Sequence, residues 1–595
     1  MPCLFFTFPV FDTTPCKKIA IITKKCLNLR FETWGNHLIK ITFLCVSTDN
    51  MLLCGNFMQC LPNHNHLDKT EQTYHTLRTR KNMKKTAVLI LGLIFATLPL
   101  HAQINVTWGH RFYDLTDFTR NAQIIGEDWE GYYMWYSLEE YLGDGQYGIN
   151  YYLARFGHDN QIKKIIRLDF KDNYLKIAHV WRSGENIGFI LSKTEKRSKK
   201  TTLYKQFFQT KDMRLMGMPE PFDVFTQDTK NEGAPYLFTL SENGSKVGFC
   251  FVELQDSAKT SGMTMKIYDE RLRLLWERSY TPSFSNARYA YESMSVSNDG
   301  LKAVIGIKTS PGGKKPNHNA DVMDVFWFTE YKGRKHQLKL ENAWALSFQT
   351  AFNMENDYVV AGYYGNNPAN PTEGKGVFSY LLDDRRGELK QHETLIFKND
   401  TPADYQEPDD MLPAKDMQYY ADHLIPMMSG NVILIGEERT EFKPKPARRN
   451  QKQEVAFAPG MHYRNLHITS INKNGTIVSD NFVPKRQVNK NGDNSYNSYA
   501  LAHDRFHVFL VFNDHIGNFT NNGYMPTKNY DSDKMRTFVS MVKIFPDGSF
   551  RWHEVNKTNS MKMPFYKTIY LDTEKRLVFF SRYEDNNILG SFPTE

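Results

Sequence analysis

The sequence predicts an all-β fold, a single β-propeller of seven blades, with eight blades as the alternative. Short apolar runs recur along the chain, and most of them are followed by an alternating strand, a polar turn and another strand. Aromatic residues make up 14% of the chain, and Tyr and Phe favour pleated, half-buried surfaces. We expect the propeller to span residues 103–595, preceded by a signal peptide at 83–102.

The apolar runs are the main evidence for repeated units. Their first residues are 60, 56, 55, 74, 75 and 70 positions apart, which suits units of about four strands with inserted loops. Their length and composition favour strands over buried helices. Seven copies give seven blades, and they are NIGFILSK (186–193), KVGFCFVE (246–253), KAVIGIKT (302–309), DYVVAGYY (357–364), NVILIGEE (431–438), FHVFLVFN (506–513) and RLVFFSRY (576–583).

The strand, turn and strand pattern indicates that each unit consists of two hairpins. Asn474-Gly475 and Asp547-Gly548 are dipeptides that tolerate positive φ and match the twist of a hairpin. Partial units stand at both ends, with YYMWYSLEEY (132–141) near the start and a short segment after the last apolar run. We therefore expect the two termini to complete one shared blade and close the ring.

Two segments resemble the Ser-x-Asp-Gly-Lys signature of TolB-like β-propeller repeats. They are LSENGSKVGFCF (240–251) and VSNDGLKAVIGI (296–307), with Ser241 and Ser297 at the Ser position. Asp299 matches the Asp, whereas Asn243 replaces it. In such repeats the turn follows an inner strand and leads into the next strand, and the resemblance implies an interaction platform. Fold alone does not fix function.

The segment MKKTAVLILGLIFATLPLHAQ (83–103) has the layout of an export signal, with two lysines, an apolar core and a small residue at the expected cut. Six of the seven cysteines lie before it, and only Cys250 follows. We interpret residues 1–82 as upstream read-through with Met83 as the true start. Export to the periplasm, the outer surface or the medium follows from this interpretation.

The charge balance argues against nucleic acid as a partner. Residues 1–102 hold 12 Lys and Arg against 5 Asp and Glu, so the remainder holds 62 against 61, and the net charge of +8 comes mostly from the leader. A nearly neutral mature chain has no electrostatic footprint for nucleic acid. No second apolar run of spanning length follows Ala102, so we expect no transmembrane segment in the mature chain, and we expect a monomer.

No catalytic or metal-binding motif is recognisable. His-Glu-x-x-His, Cys-x-x-Cys, Walker-type and Gly-x-Ser-x-Gly patterns are absent, so the sequence predicts no metal and no cofactor. HDRFH (503–507) places His near a carboxylate, but surface loops do this commonly. EDWEGYYMW (127–135) is either the lining of a sugar cleft or an edge strand whose charges discourage pairing.

The candidate binding residues lie on long insertions, because loops on rigid scaffolds carry function. The insertion at 438–464 contains a cationic group suited to an acidic partner, and the insertion at 513–534 mixes amides with aromatic rings suited to sugars or peptides. A third insertion covers 308–321. The predicted binding residues are Lys443, Lys445, Arg448, Arg449, Asn513, Asp514, Tyr524 and Tyr530.

These observations favour an exported, non-enzymatic binding or scaffolding propeller of the cell envelope, with a protein or glycan partner. The alternative is a glycan-active hydrolase with carboxylates at the channel mouth. Propeller glycosidases carry acid and base on different blades, so the sequence does not reveal such a pair. Two or three acids converging at the channel favour the enzyme, whereas a channel of apolar and amide groups favours binding.

Overall fold

The chain divides into two compact units, Met1–Ala102 and Gln103–Glu595. The computed structural model describes residues 26–34, 38–47, 50–60, 104, 106–112 and 119–594. The last range has gaps at 144–145, 173, 196–197, 199, 227–235, 255–260, 282–287, 311–321, 368–372, 384, 386–387, 398–416, 443–459, 490–493, 521–522, 525–529, 532–536, 556–563 and 584–585.

The first unit contains a three-stranded antiparallel sheet in the order β1-β2-β3. Its strands are β1 (Cys26–Trp34), β2 (Leu38–Ser47) and β3 (Asn50–Cys60). The predicted signal segment, 83–102, lies outside the described residues. The assignment of 1–82 as read-through stays a prediction.

The second unit consists of eight blades, each built around an antiparallel four-stranded sheet. The strands are β4 (Thr107–Trp108); in blade 1 β5 (Thr119–Asp128), β6 (Gly131–Gly143), β7 (Gln146–Phe156) and β8 (Ile162–Leu168); in blade 2 β9 (Lys176–Ser183), β10 (Asn186–Glu195), β11 (Lys200–Gln209) and β12 (Arg214–Thr226); in blade 3 β13 (Tyr236–Leu240), β14 (Lys246–Leu254), β15 (Ser261–Asp269) and β16 (Leu274–Tyr280); and in blade 4 β17 (Arg288–Val296), β18 (Lys302–Ser310), β19 (Val322–Thr329) and β20 (Gly333–Leu338).

The second half of the ring continues in the same way and adds short strands beside blades 6 and 7. The strands are, in blade 5, β21 (Trp344–Phe352), β22 (Tyr358–Gly365), β23 (Gly376–Leu382) and β24 (Leu389–Ile396); in blade 6 β25 (Gln418–Pro426), β26 (Val432–Phe442), β27 (Gly460–Ile471) and β28 (Ile477–Val483), then β29 (Gln487–Asn489); in blade 7 β30 (Ala500–His503), β31 (Val508–His515), β35 (Thr537–Ile544) and β36 (Phe550–Val555), interrupted by β32 (Phe519–Thr520), β33 (Gly523–Tyr524) and β34 (Tyr530–Asp531); and in blade 8 β37 (Phe565–Leu571), β38 (Arg576–Tyr583) and β39 (Asn586–Pro593).

The prediction of seven blades is wrong, and the alternative of eight is confirmed. Each of the seven apolar runs forms or begins the second strand of a blade. The eighth second strand, β6, has the sequence GYYMWYSLEEYLG, in which Tyr and Trp take the place of aliphatic residues. The sequence prediction treated YYMWYSLEEY as a partial unit of the closing blade, whereas it belongs to a complete blade of its own, β5 to β8. The segment EDWEGYYMW covers the end of β5 and the start of β6. It does not form an edge strand in β6, because β6 pairs with β5 on one side and with β7 on the other.

Hydrophobic cores lie between neighbouring blades. Eight buried clusters join consecutive blades around the ring. The cluster between blades 8 and 1, for example, packs Tyr132, Met134 and Phe156 against Val578 and Phe580. Apolar burial of this kind stabilises folding by about 25 cal/mol per Å², so every blade depends on both of its neighbours.

The two ends of the unit share blade 8 and close the ring, but the N-terminal contribution is β4 and not the predicted YYMWYSLEEY segment, which lies in blade 1. Strand β4 completes blade 8 as its fourth strand and pairs with β39 through Gly590 and Ser591. Asn160 on the neighbouring blade donates from Nδ2 to the carbonyl of Thr107 and to Ser591 Oγ, both at 2.9 Å. The closing strand is therefore held both by sheet pairing and by blade 1.

The two segments compared with TolB-like repeats form turns, and the structure supports the propeller fold without showing that repeat family. Each joins the first strand of its blade to the second, in blades 3 and 4. Ser297 Oγ donates to Asp299 Oδ1 at 2.6 Å and accepts from the Lys302 amide at 3.0 Å, which fixes the turn. No helix in the described part of the chain is long and apolar enough to cross a membrane.

Candidate functional site in the central channel

The two faces of the ring differ in the length of their loops. Strands of an antiparallel blade alternate in direction, so connections from second to third strands all leave from one face. The three long insertions of the sequence are connections of this kind, in blades 4, 6 and 7. We call this side the long-loop face and the opposite side, with its short first-to-second-strand turns, the turn face.

The first strands of successive blades contact one another and line the central channel. Toward the turn face, blades 3 to 7 enclose a cavity of about 280 Å³. Amide, hydroxyl, carboxyl and imidazole groups share its wall with apolar side chains. The lining residues used below are Glu242, Met294, Gln349, Phe352, Asp422, His423 and His503.

A network of charged side chains stands in the channel wall of blade 6, and we call it the Arg439 cluster. Arg439 donates from Nη2 to Asp422 Oδ2 at 2.5 Å and from Nε to Glu437 Oε2 at 2.6 Å. Two carboxylates from two strands therefore share one guanidinium. The cluster consists of Asp422, Glu437, Arg439, Lys485, Ser498 and Tyr499.

Glu437 is the most enclosed member of the Arg439 cluster. Both Glu437 and Lys485 have side chains with no exposed surface, and Lys485 Nζ is ion-paired with Glu437 Oε1. Ser498 Oγ donates to Glu437 Oε2 at 2.6 Å. Burial alone raises the pKa of Glu437, but Lys485 and Arg439 outweigh it and hold this pKa below its ordinary value. Glu437 is thus a fixed negative charge.

Asp422 is the member of the cluster that borders the cavity. Burial raises the pKa of Asp422 to about 6, although Arg439 opposes this shift. Tyr499 donates from its hydroxyl to Asp422 Oδ2 at 2.9 Å. A carboxyl group with this pKa exchanges its proton close to neutral pH, which is the property that general acid catalysis requires.

Two basic side chains share the channel with Asp422. The side chain of His423 is exposed to the channel, yet protein lies close enough around its ring to desolvate it. This desolvation, together with the positive charges of Lys567 and Arg439, lowers the pKa of His423 to about 4. Lys567 projects from β37, the first strand of blade 8, and is exposed. Although the side chain is partly exposed, the surrounding protein desolvates its ammonium group, and this desolvation, reinforced by Arg439, lowers the pKa of Lys567. His423 is therefore neutral at physiological pH.

The structure places the predicted residues Asn513, Asp514 and Tyr530 inside the protein. Asn513 Nδ2 donates to the carbonyls of Tyr496 and Phe565, at 2.9 and 2.7 Å. Asp514 Oδ1 accepts from Asn518 Nδ2 at 2.7 Å. Three of the predicted residues are thus buried, and a binding role for them stays a prediction.

The remaining predicted residues give less structural information. Tyr524 stands on the short strand β33, which pairs with β32. Lys443, Lys445, Arg448 and Arg449 lie outside the described residues. Their segment connects β26 to β27 and leaves β26 at Phe442 on the long-loop face.

Asn513 is nevertheless linked to the Arg439 cluster. Lys485 Nζ donates to Gln487 Oε1 at 3.1 Å, and Gln487 Nε2 donates to the carbonyl of Asn513 at 2.7 Å. The main chain at Asn513 therefore contacts Gln487, a hydrogen-bond partner of Lys485, while the Asn513 side chain links blade 7 to Phe565 of blade 8. The insertion supports the channel wall at this point.

Sequence reasoning missed the Arg439 cluster itself. Glu437 falls within the apolar run of 431–438, whereas Arg439 falls in the insertion that the sequence predicts at 438–464. In the structure both residues belong to a single strand, since β26 runs from Val432 to Phe442. Charged residues that continue a buried strand need partners inside the protein.

Within the described residues, no group of three or more His, Cys, Asp or Glu side chains is arranged to hold a metal ion. No protein-family model matches the chain. No curated protein matches it either.

Solved structures of similar architecture include the β-propeller domain of the trilobed protease from Pyrococcus furiosus, at 10% identity and a TM-score of 0.32, covering 75% of this chain and 98% of that chain. The polysaccharide lyase Uly1 is 9% identical with a TM-score of 0.34, covering 71% and 91%. An α-L-arabinanase from Penicillium chrysogenum is 9% identical with a TM-score of 0.28, covering 65% and 99%. The assignment of the fold and of the candidate site therefore depends on the strands and contacts of this chain alone.

Proposed function

We propose that the protein is a glycan-active hydrolase whose reaction takes place in the central channel, with Asp422 as the general acid. The observation that supports this proposal is the position of Asp422 on the cavity wall together with its pKa of about 6. Glycoside hydrolysis requires a carboxylic acid that is still protonated near neutral pH and protonates the leaving oxygen. Asp422 fits this requirement.

A second carboxylate is needed to activate water or to attack the sugar. Glu242 lines the same cavity from blade 3 and is ion-paired with Arg505 at 2.7 Å. Glu437 does not fit this role, because its side chain is enclosed and bonded to Arg439, Lys485 and Ser498. We therefore assign the base to Glu242.

The rest of the cavity suits a sugar. Gln349, Asn353 and Asn356 supply amide groups to the lining, while Met294 and Phe352 supply apolar surface. Small-molecule sites combine apolar walls with a few polar groups that fix orientation. Sugar rings present hydroxyl edges and apolar faces, so both kinds of lining group are usable.

The test is release of reducing ends from a panel of neutral and acidic polysaccharides by the 103–595 chain. Asp422→Asn and Glu242→Gln are each expected to lower kcat/KM about 100-fold or more, the usual scale of general acid–base catalysis. Glu355→Gln, an exposed acid on a turn of blade 5, serves as the control and is expected to retain activity. An Asp422→Asn variant that hydrolyses glycans at the wild-type rate contradicts the proposal. Failure of the wild-type protein to hydrolyse any polysaccharide of the panel also contradicts it.

The second candidate function is an exported binding or scaffolding propeller of the cell envelope. The long connections on one face, including the segment with Lys443, Lys445, Arg448 and Arg449, favour it. A pull-down from envelope extracts tests it, and absence of the protein from washed cells contradicts it. N-terminal sequencing of the native protein tests export, because a mature N-terminus before Met83 contradicts the predicted signal.

A further inference from the structure

Lys567 carries a positive charge into the channel without a bonded partner. Among the described residues its ammonium group makes no hydrogen bond and no ion pair, whereas Arg439 and Lys485 are each paired with an acid. Lys567 is also exposed, and it stands on the first strand of blade 8. An ammonium group in this position is available to a molecule that enters the channel.

The charge of Lys567 acts on the proposed catalytic region. It contributes to the lowered pKa values of His423 and Lys485, and it favours the charged form of Asp422. Asp422 and His423 both line the cavity. Although Lys567 is not part of the cavity lining, it is close enough for electrostatic interaction with two residues that are.

The charges around Asp422 are unbalanced. Arg439, Lys485 and Lys567 carry three positive charges against two negative charges from Asp422 and Glu437. When Asp422 holds its proton, the excess rises to two. The interaction between charges is strong where protein displaces water, so this part of the channel favours an anionic group.

We propose that the substrate is an acidic glycan and that Lys567 binds a singly charged group on it, a uronate carboxylate or a sulfate ester. One ammonium group offers a single charge with rotatable donors, which suits such a group. This inference rests on the proposed function, since it names the substrate class of the same channel. Lys567 acts as a residue that determines specificity.

The test compares binding of oligogalacturonate, a sulfated galacto-oligosaccharide and a neutral galacto-oligosaccharide of equal length by calorimetry. Wild-type protein is expected to bind one of the two acidic sugars, with an affinity that falls as salt rises. Lys567→Gln is expected to weaken that binding about tenfold or more and to leave neutral sugar unchanged. Lys567→Arg is expected to restore much of the affinity, and the acidic sugar that responds identifies the anionic group.

Lys473→Gln removes an exposed lysine from the turn at 472–476 and controls for overall charge. Circular dichroism and melting temperature verify that the variants fold. Unchanged acidic-sugar binding by Lys567→Gln overturns the inference, even if neutral glycans are hydrolysed and the proposed function stands. Lys567-dependent binding without hydrolysis of any glycan supports the inference for binding and refutes the proposed function. Absence of binding to all three sugars overturns the inference.

Discussion

The residues that distinguish this propeller are charged groups placed where most propeller positions are apolar. Glu437 and Lys485 are both fully enclosed, and removing a charge from water costs several kcal/mol for each ion. Their mutual contact, with Arg439 and Ser498, offsets this cost. Loss of one partner therefore leaves an uncompensated buried charge.

Lys485→Met is expected to lower the free energy of unfolding by about 3 to 5 kcal/mol, because Glu437 loses its closest cation. The double variant Glu437→Gln, Lys485→Met is expected to lose less than the sum of the two single variants, which urea denaturation measures as a coupling energy. Lys473→Met, an exposed lysine, is the control. A loss of under 1 kcal/mol for Lys485→Met contradicts the role given to the pair.

Asp422 and His423 are adjacent in sequence and are expected to give opposite pH dependences of stability. The pKa of Asp422 is raised to about 6, so the native state binds this proton more tightly than the unfolded chain. The stabilisation that Asp422 gives the native state by binding this proton is complete below pH ~4 and is lost as pH rises to ~6. The free energy involved is at most about 3 kcal/mol. The pKa of His423 is lowered to about 4, so its stabilising effect grows as pH rises from ~4 to ~6.5.

Urea denaturation between pH 4 and pH 7 measures both effects. Relative to wild type, Asp422→Asn is expected to gain stability as pH rises, whereas His423→Gln is expected to lose it. Each slope is compared with wild type, because other histidines with lowered pKa values, among them His179 and His503, also titrate in this range. Slopes of the same sign for the two variants would contradict the assigned pKa directions.

At the scale of elements, the hairpin turns combine local backbone needs with contacts between blades. Gly475 has φ +85°, as the Asn-Gly dipeptide predicts, and a Cβ there would lie 2.8 Å from the Cβ of Leu381 in blade 5. Gly430, on the turn that precedes β26, has φ +88°, and a Cβ there would lie 3.4 Å from the Cβ of Lys473. The two glycines share a left-handed backbone conformation, but only Gly475 lacks room for a methyl group.

Gly430→Ala is expected to lower the free energy of unfolding by about 1 to 2 kcal/mol, the usual cost of a left-handed conformation for an L residue. Gly475→Ala is expected to lower it by at least about 1 kcal/mol more, since blade 5 must move to accept the methyl group. Urea denaturation of the two variants separates the steric part from the conformational part. Equal losses would show that the contact between blades 5 and 6 yields without cost.

At the scale of the molecule, a closed ring requires that both termini share a blade. Trp108 on the closing strand β4 packs against Phe579 with ring centroids 5.3 Å apart. Because β4 contains only two residues, its side-chain contacts contribute a large share of the closure. The stability of the whole ring therefore depends on a few residues at its N-terminal end.

Trp108→Ala is expected to lower the free energy of unfolding by about 2 kcal/mol, less than truncation of a fully buried aromatic residue because Trp108 is half-buried. Trp129→Ala is the matched control, because Trp129 is 84% exposed on a turn of blade 1, and a change within about 0.5 kcal/mol is expected there. Urea denaturation measures both. Similar losses for the two variants would mean that the closing strand adds little to the ring.

The sequence by itself determined the all-β class, the repeated second strands, the Asn-Gly and Asp-Gly turns, and closure by both termini. These features depend on local properties, namely apolar runs and backbone conformations that few residues adopt. The eighth blade was not counted because YYMWYSLEEY was interpreted as part of the closing blade, whereas β6 belongs to a complete blade and buries Tyr132, Tyr133 and Tyr136 against its neighbours. A strand is defined by what it packs against, and the sequence does not display those partners.

Only the tertiary structure decided the candidate site. Asp422, Lys485 and Lys567 are separated by more than sixty residues in each step, yet the ring brings them to one region of the channel. No spacing encodes such a group, because its members meet through closure of eight blades. The predicted loop residues Asn513 and Tyr530 turned inward for the same reason: burial is settled by neighbouring strands that lie far away in the chain.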